Sequence, residues 1–175
     1  MQRARHLIGL PVMTVATGER LASVKSVVID LACGYVRALV VHKGSLFRQP
    51  QAIAIEQVHS LEEDAILLKE GEKPMLLATL LASVPEAQTD EVLFGRQIMT
   101  EDGKVLGSLD DVFFDPSDGR ISHYSLSDGL LQSLLQGSAM IPAPTQPIVG
   151  EESIVIPATS EPPDQLSMGF EPPDS

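Results

Sequence analysis

The chain repeats itself over a domain's length. Leu7-Ile8-Gly9-Leu10-Pro11-Val12-Met13-Thr14 returns as Leu93-Phe94-Gly95-Arg96-Gln97-Ile98-Met99-Thr100, an offset of 86. One residue is then lost in a turn, and Gly18, Leu21 and Val24 meet Gly103, Leu106 and Leu109 at an offset of 85. Val27-Val28-Ile29-Asp30 meets Val112-Phe113-Phe114-Asp115, and Gly34 meets Gly119. The last segment is offset by 88, so that Glu63-Asp64-Ala65-Ile66-Leu67-Leu68 meets Glu151-Glu152-Ser153-Ile154-Val155-Ile156. The period is too long for a solenoid unit and long enough for a small domain with its own core. The offset changes in loops, where insertions are tolerated best.

Within each copy the pattern is one of short strands separated by turns. Pro11–Thr14, Leu21–Asp30, Tyr35–His42, Ala52–Ile55 and Ala65–Leu68 read as the strands of copy one. In the third, Val36, Ala38 and Val40 alternate with Arg37, Leu39 and Val41. Copy two has the stronger turns, Glu101-Asp102-Gly103-Lys104 and Asp115-Pro116-Ser117-Asp118-Gly119. Strands spaced by about 8–12 residues point to a small barrel or sandwich. The expected class is all-β: two small β-barrels in tandem, with a short helical connector and a disordered C-terminal tail. The boundaries expected are 1–73 for the first unit, 74–91 for the connector, 92–158 for the second unit and 159–175 for the tail. In the connector, Pro74–Leu81 holds helix formers enough for two turns, with leucines to pack on one or both barrels. The tail repeats Glu-Pro-Pro-Asp at 161–164 and 171–174, a polar and Pro-rich composition.

Trp is absent and aromatics are 4%, so the cores must be built from Val, Ile and Leu. No apolar run is long enough to span a bilayer. The one cysteine, Cys33, forbids an intramolecular disulfide and suits a reducing, cytoplasmic setting. Charge is uneven. Residues 1–69 carry eight Lys/Arg against six Asp/Glu, whereas residues 70–175 carry four against eighteen, for a net charge of −12. Such an acidic chain repels phosphate backbones. Copy one alone offers a modest basic face through Arg3, Arg5, Arg20, Lys25, Arg37, Lys43 and Arg48.

The order and spacing of these pieces resemble the PRC-barrel domain family. The residues that carry the resemblance are Leu-Ile-Gly-x-x-Val at 7–12 and Leu-Phe-Gly-x-x-Ile at 93–98. To these are added Gly-x-x-Leu at 18–21, Gly-Lys-Val-Leu-Gly at 103–107, and the closing strand Glu-Glu-Asp-Ala-Ile-Leu-Leu at 62–68. The resemblance implies small β-barrels used as interaction modules. Family members include the cytoplasmic part of the photosynthetic reaction-centre H subunit and a ribosome-maturation factor that binds a ribosomal protein. Stand-alone bacterial and archaeal members look like adaptors. The family has no shared catalytic motif to carry over.

The expected function is therefore a non-catalytic adaptor that binds a protein partner, with no cofactor. An accessory role in RNA processing or ribosome maturation is the alternative, and a homo-oligomer is compatible with either. The partner surface expected is the Leu-rich insert of copy two, Leu130, Leu131, Leu134 and Leu135, with Leu46 and Phe47 in the corresponding loop of copy one. On a helix the four leucines form one apolar stripe. A third reading takes the carboxylates between Asp110 and Asp118, with Asp111, Asp115 and Asp118 as ligands, for a hard cation or an enzyme site. Strand periodicity puts Asp111 and Asp115 on one face and Asp110 on the other.

Overall fold

A computed structural model describes residues 1–44, 49–127 and 139–158. The expected tail, 159–175, lies outside them. Unit one contributes β1 (Gln2–Arg3), α1 (Ala4–Leu7), β2 (Pro11–Thr14), β3 (Arg20–Asp30), β4 (Tyr35–His42), β5 (Gln51–Ala54), β6 (Val58–Leu61) and β7 (Ile66–Leu68). The connector holds β8 (Met75–Leu76) and α2 (Leu77–Ser83). Unit two contributes β9 (Gln88–Thr89), α3 (Asp90–Leu93), β10 (Gln97–Thr100), β11 (Val105–Phe114), β12 (Ile121–Ser127), β13 (Ala139–Pro142), β14 (Ile148–Val149) and β15 (Ser153–Ile156).

The two sheets repeat one topology. The order is β6-β7-β2-β3-β4-β5 in one and β14-β15-β10-β11-β12-β13 in the other. In both, the last strand returns to lie parallel to the first: Val12 pairs with Ile66, and Ile98 with Ile154. Each sheet curls into half a barrel. The strands Pro11–Thr14 and Tyr35–His42 fall where the sequence places them. The helix of the connector forms too, but one strand-like step later. Met75 and Leu76 first pair antiparallel with Ala52 and Gln51 of β5, and α2 then runs to Ser83.

Two pieces have no counterpart in the expectation. Each unit opens with a short arm, a two-residue strand followed by one helical turn, and each arm belongs to the other unit's sheet. Gln2 and Arg3 of β1 pair with Phe114 and Phe113 of β11. Gln88 and Thr89 of β9 pair with Ile29 and Val28 of β3. These registers are the same pairing under the repeat. The exchange is completed at the turns, where the Val36 N–H donates to Gly119 O at 2.8 Å and the Ile121 N–H donates to Gly34 O at 2.9 Å. The units thus meet about a pseudo-twofold axis through Tyr35 and Arg120, which form a bridge of their own.

One continuous core runs through both units, from Leu7, Val12 and Ile29 to Leu93, Ile98, Phe114 and Ile154. A smaller second core lies outside the first sheet. There Val28, Ala38, Val40 and Ala52 pack under Leu80 and Ala87 of the connector. This explains why β3 is buried without a break from Val27 to Asp30: helix and arm cover the face that an isolated barrel would leave wet. Both faces of β4 are apolar for the same reason.

Candidate functional site: the seam between the two units

The Leu-rich surface expected from sequence, Leu130, Leu131, Leu134, Leu135, Leu46 and Phe47, lies outside the described residues. The described chemistry concentrates instead at the seam.

Two buried carboxylates, Asp90 and Asp111, reach across the seam, and they are placed differently on its two sides. Both long central strands carry a bulge, at Lys25 in β3 and at Asp110 in β11. The next N–H but one, that of Val27 or Val112, is accepted by a carboxylate in each unit. Asp90 of α3 reaches across the seam to the Val27 N–H at 2.7 Å. In unit two the acceptor is Asp111 itself, at 2.8 Å from the Val112 N–H. Asp111 is fully buried and also accepts from Arg3 Nε at 3.1 Å and the Arg5 N–H at 3.2 Å. The repeat partner of Asp90 is Ala4, and that of Asp111 is Ser26. One carboxylate thus serves each half, supplied from opposite sides.

These contacts rewrite the expected acidic cluster. Asp111 and Asp115 are separated by burial and by the strand's end: Asp111 is fully buried within β11, whereas β11 stops at Phe114 and Asp115 lies exposed in the turn beyond it. Asp111 is turned inward onto Arg3 and Arg5. Asp115 is exposed and accepts from Ser117 N–H and Oγ at 2.8 and 2.6 Å, which holds its carboxyl below the usual range. Asp118 accepts the Arg120 N–H at 2.8 Å. Asp111, Asp115 and Asp118 therefore do not converge on a cation. No group of three His, Cys, Asp or Glu does so among the described residues.

Burial pushes the Asp90 carboxyl above its ordinary value, against the opposing Val27 N–H. A carboxyl raised in the fold favours the fold in its protonated form. Its contribution is therefore fullest below the unfolded pKa and is lost as pH rises through the folded one. Asp90→Asn keeps an acceptor for Val27 and removes the charge. It is expected to match the parent in acid and to exceed its stability increasingly toward neutral pH. Asp90→Ala leaves a buried N–H unpaired and should cost about 1–3 kcal/mol. Urea unfolding at a series of pH values checks both, and an Asn variant weaker than the parent at neutral pH would contradict the assignment.

The second asymmetry is a groove of about 690 Å³ at the seam. It lies between the Leu31–Tyr35 turn of unit one and, from unit two, Arg120, Ile121 and the Ala143–Gln146 loop. At the equivalent place on the other side, Ile55 begins a single 3-10 turn and packs against Gly119. A Cβ built on Gly119 would lie 3.3 Å from Ile55 Cγ2 and 2.4 Å from Val36 O. The repeat partner of Ile55 is Ala143, and a Cβ on Gly34 would meet nothing within 4 Å. An alanine stands where the other side has isoleucine, and the backbone of Ile121 keeps farther from Gly34 than that of Val36 does from Gly119, so that one side of the axis is open where the other is plugged. The loop beyond Ala143 carries Gln146 at φ +52, the one positive-φ residue other than glycine among those described. Such strain persists where surroundings impose it, and clusters at sites that bind. Cys33 stands exposed on the groove wall.

Sequence reasoning missed the groove, although its signal was present in the 88-residue offset that sets Ile55 against Ala143. Sequence alone does not say that either residue faces the other unit. No described helix is long and apolar enough to cross a membrane. No curated protein matches the chain. The model of the PRC-barrel domain matches it twice, over residues 1–73 and 89–161. With both matches falling on the two units that exchange arms, the chain belongs to the PRC-barrel domain family and carries the domain in tandem.

Proposed function

We propose that this protein is a non-catalytic adaptor that holds a protein partner in the groove at the seam. The observation that carries this reading is the one-sided opening at Ala143, framed by two units that fix each other through backbone hydrogen bonds. A rigid, preformed concavity loses little entropy on binding.

RNA is the weaker alternative. Of the seven basic residues of copy one, Arg3, Arg5 and Arg37 are engaged by Asp111, Asp110 and Asp30 at 3.1, 3.2 and 3.2 Å. That thins the basic face available to phosphates.

The test uses the sole cysteine. Cys33 is exposed and can carry a photo-crosslinker into the groove. In extract of the native cell the full chain is expected to crosslink one protein, and Ala143→Ile, which restores the plug of the other side, should abolish the product. Crosslinking to RNA, or to the same proteins with and without the plug, would overturn the reading.

A further inference from the structure

The proposed docking function leaves the partner's chemistry open, and the groove itself narrows it. The plugged side is a template for the open one. Ile55 shows which side chain fits against the seam glycine: a branched aliphatic group, entering from a turn. On the open side that position is left to Ala143, half-buried, above the buried walls Leu31 and Ile121.

Charge supplies the second constraint. Of the described arginines, Arg3, Arg5 and Arg37 are held by carboxylates, Arg20 by Ser23, and Arg96 by Gly150 and Gln88. Arg120, which lines the groove and is exposed, has no side-chain partner among the described residues. The carboxylates of its own turn are already engaged: Asp118 on the Arg120 N–H, and Asp115, whose N–H donates to Arg120 O, on the Ser117 N–H and Oγ. A guanidinium left without a side-chain partner is a local site for one incoming carboxylate.

We infer that the groove takes an acidic segment of a partner protein in which an Ile or Val is followed closely by Glu or Asp. The aliphatic side chain fills the place that Ile55 fills across the axis, and the carboxylate pairs with Arg120. This rests on reading the groove as a docking site. A nucleic acid does not fit it, since the groove presents a single cation and an apolar wall.

The chain's own Ala54-Ile55-Glu56-Gln57 sequence supplies the probe, added in trans as an acetylated, amidated peptide. Two control peptides replace Glu by Gln or Ile by Ala. A ligand this small is expected to bind at about the millimolar level. Binding to the full-length protein is read as slowed alkylation of Cys33 and as shifts of the Gly34, Ile121 and Thr145 amide resonances. The parent peptide should protect Cys33 saturably, and both controls less. Arg120→Gln should weaken the parent peptide about fivefold, the size of an exposed ion pair. On that variant the Glu and Gln peptides should bind alike, so that the two changes do not add. Ala143→Ile should abolish protection, and the exposed Arg120→Gln change keeps the test open if the plugged variant folds poorly.

Equal protection by the Gln peptide, or protection that survives Ala143→Ile, would overturn the inference. So would protection that appears only after residues 159–175 are removed, because the chain's own segment would then be the occupant. The crosslinking test stands apart from this one. A protein captured at Cys33 and lost on plugging, with no response to these peptides, would retain the docking function and reject the acidic aliphatic motif.

Discussion

Gly119→Ala is expected to destabilise the protein by about 3 kcal/mol or more, while the same change at its repeat partner Gly34 costs about 1–2 kcal/mol. The two glycines have nearly the same backbone, φ +81 and +80, so the left-handed strain on a Cβ is common to both. Their surroundings differ. A Cβ at position 119 would arrive 2.4 Å from the carbonyl oxygen of Val36, a backbone atom that cannot swing aside, whereas Gly34 faces open space. Relieving that clash must pull the turn away from Val36 and stretch the bond from Val36 N–H to Gly119 O, one of the two that close the seam. Urea denaturation of both variants measures the difference. Equal losses would mean that the seam yields freely at this point and that its backbone exchange contributes little.

Phe114→Ala should cost about 3–5 kcal/mol, as removal of a fully buried aromatic does, and the loss should be felt by both units at once. Phe114 sits in β11 opposite Gln2 of the exchanged arm, inside the core that runs through the whole chain. The protein offers a direct reading of cooperativity. It has no Trp and two tyrosines, Tyr35 in unit one and Tyr124 in unit two. Replacing one or the other by Phe leaves a single reporter in each half. Both reporters are expected to lose native fluorescence at the same denaturant concentration, in the parent and in Phe114→Ala alike, with the variant's shared midpoint lower. Two separated transitions would show that the units unfold independently and that the common core is not one cooperative body.

The strands and the duplication were legible in the sequence because turn chemistry and apolar alternation are local signals. Pro11–Thr14 and Tyr35–His42 are bounded by turns with glycines at positive φ, and both emerge where expected. The arms were not legible. Gln2–Arg3 and Gln88–Thr89 are too short for any periodicity, and their pairing depends on residues far away in the chain. The same distance hid the chemistry of the seam. Arg3 and Arg5 read as members of a basic face until Asp111 and Asp110, more than a hundred positions on, were seen to hold them. The Asp110–Asp118 cluster misled because the bulge at Asp110 moves Asp111 off the face of Leu109 and onto Arg3 and Arg5, while β11 ends before Asp115, which holds a turn. The continuous burial of Val27–Asp30 had its cause in α2 and β9, elements whose docking the strand itself does not announce.

The arm exchange has the geometry of a symmetric dimer, yet the connector between β7 and β9 makes it a single molecule. Two identical chains meeting about an axis must carry every substitution twice. In one fused chain each position is inherited once, so that Ile55 can remain where its counterpart becomes Ala143, and Asp90 can face one way while Asp111 faces the other. The tether also frees the pairing from mass action: the halves stay together on dilution, at an effective concentration on the order of millimolar for a short linker. Under such a tether even a weak joint would suffice to keep two halves registered while they diverge.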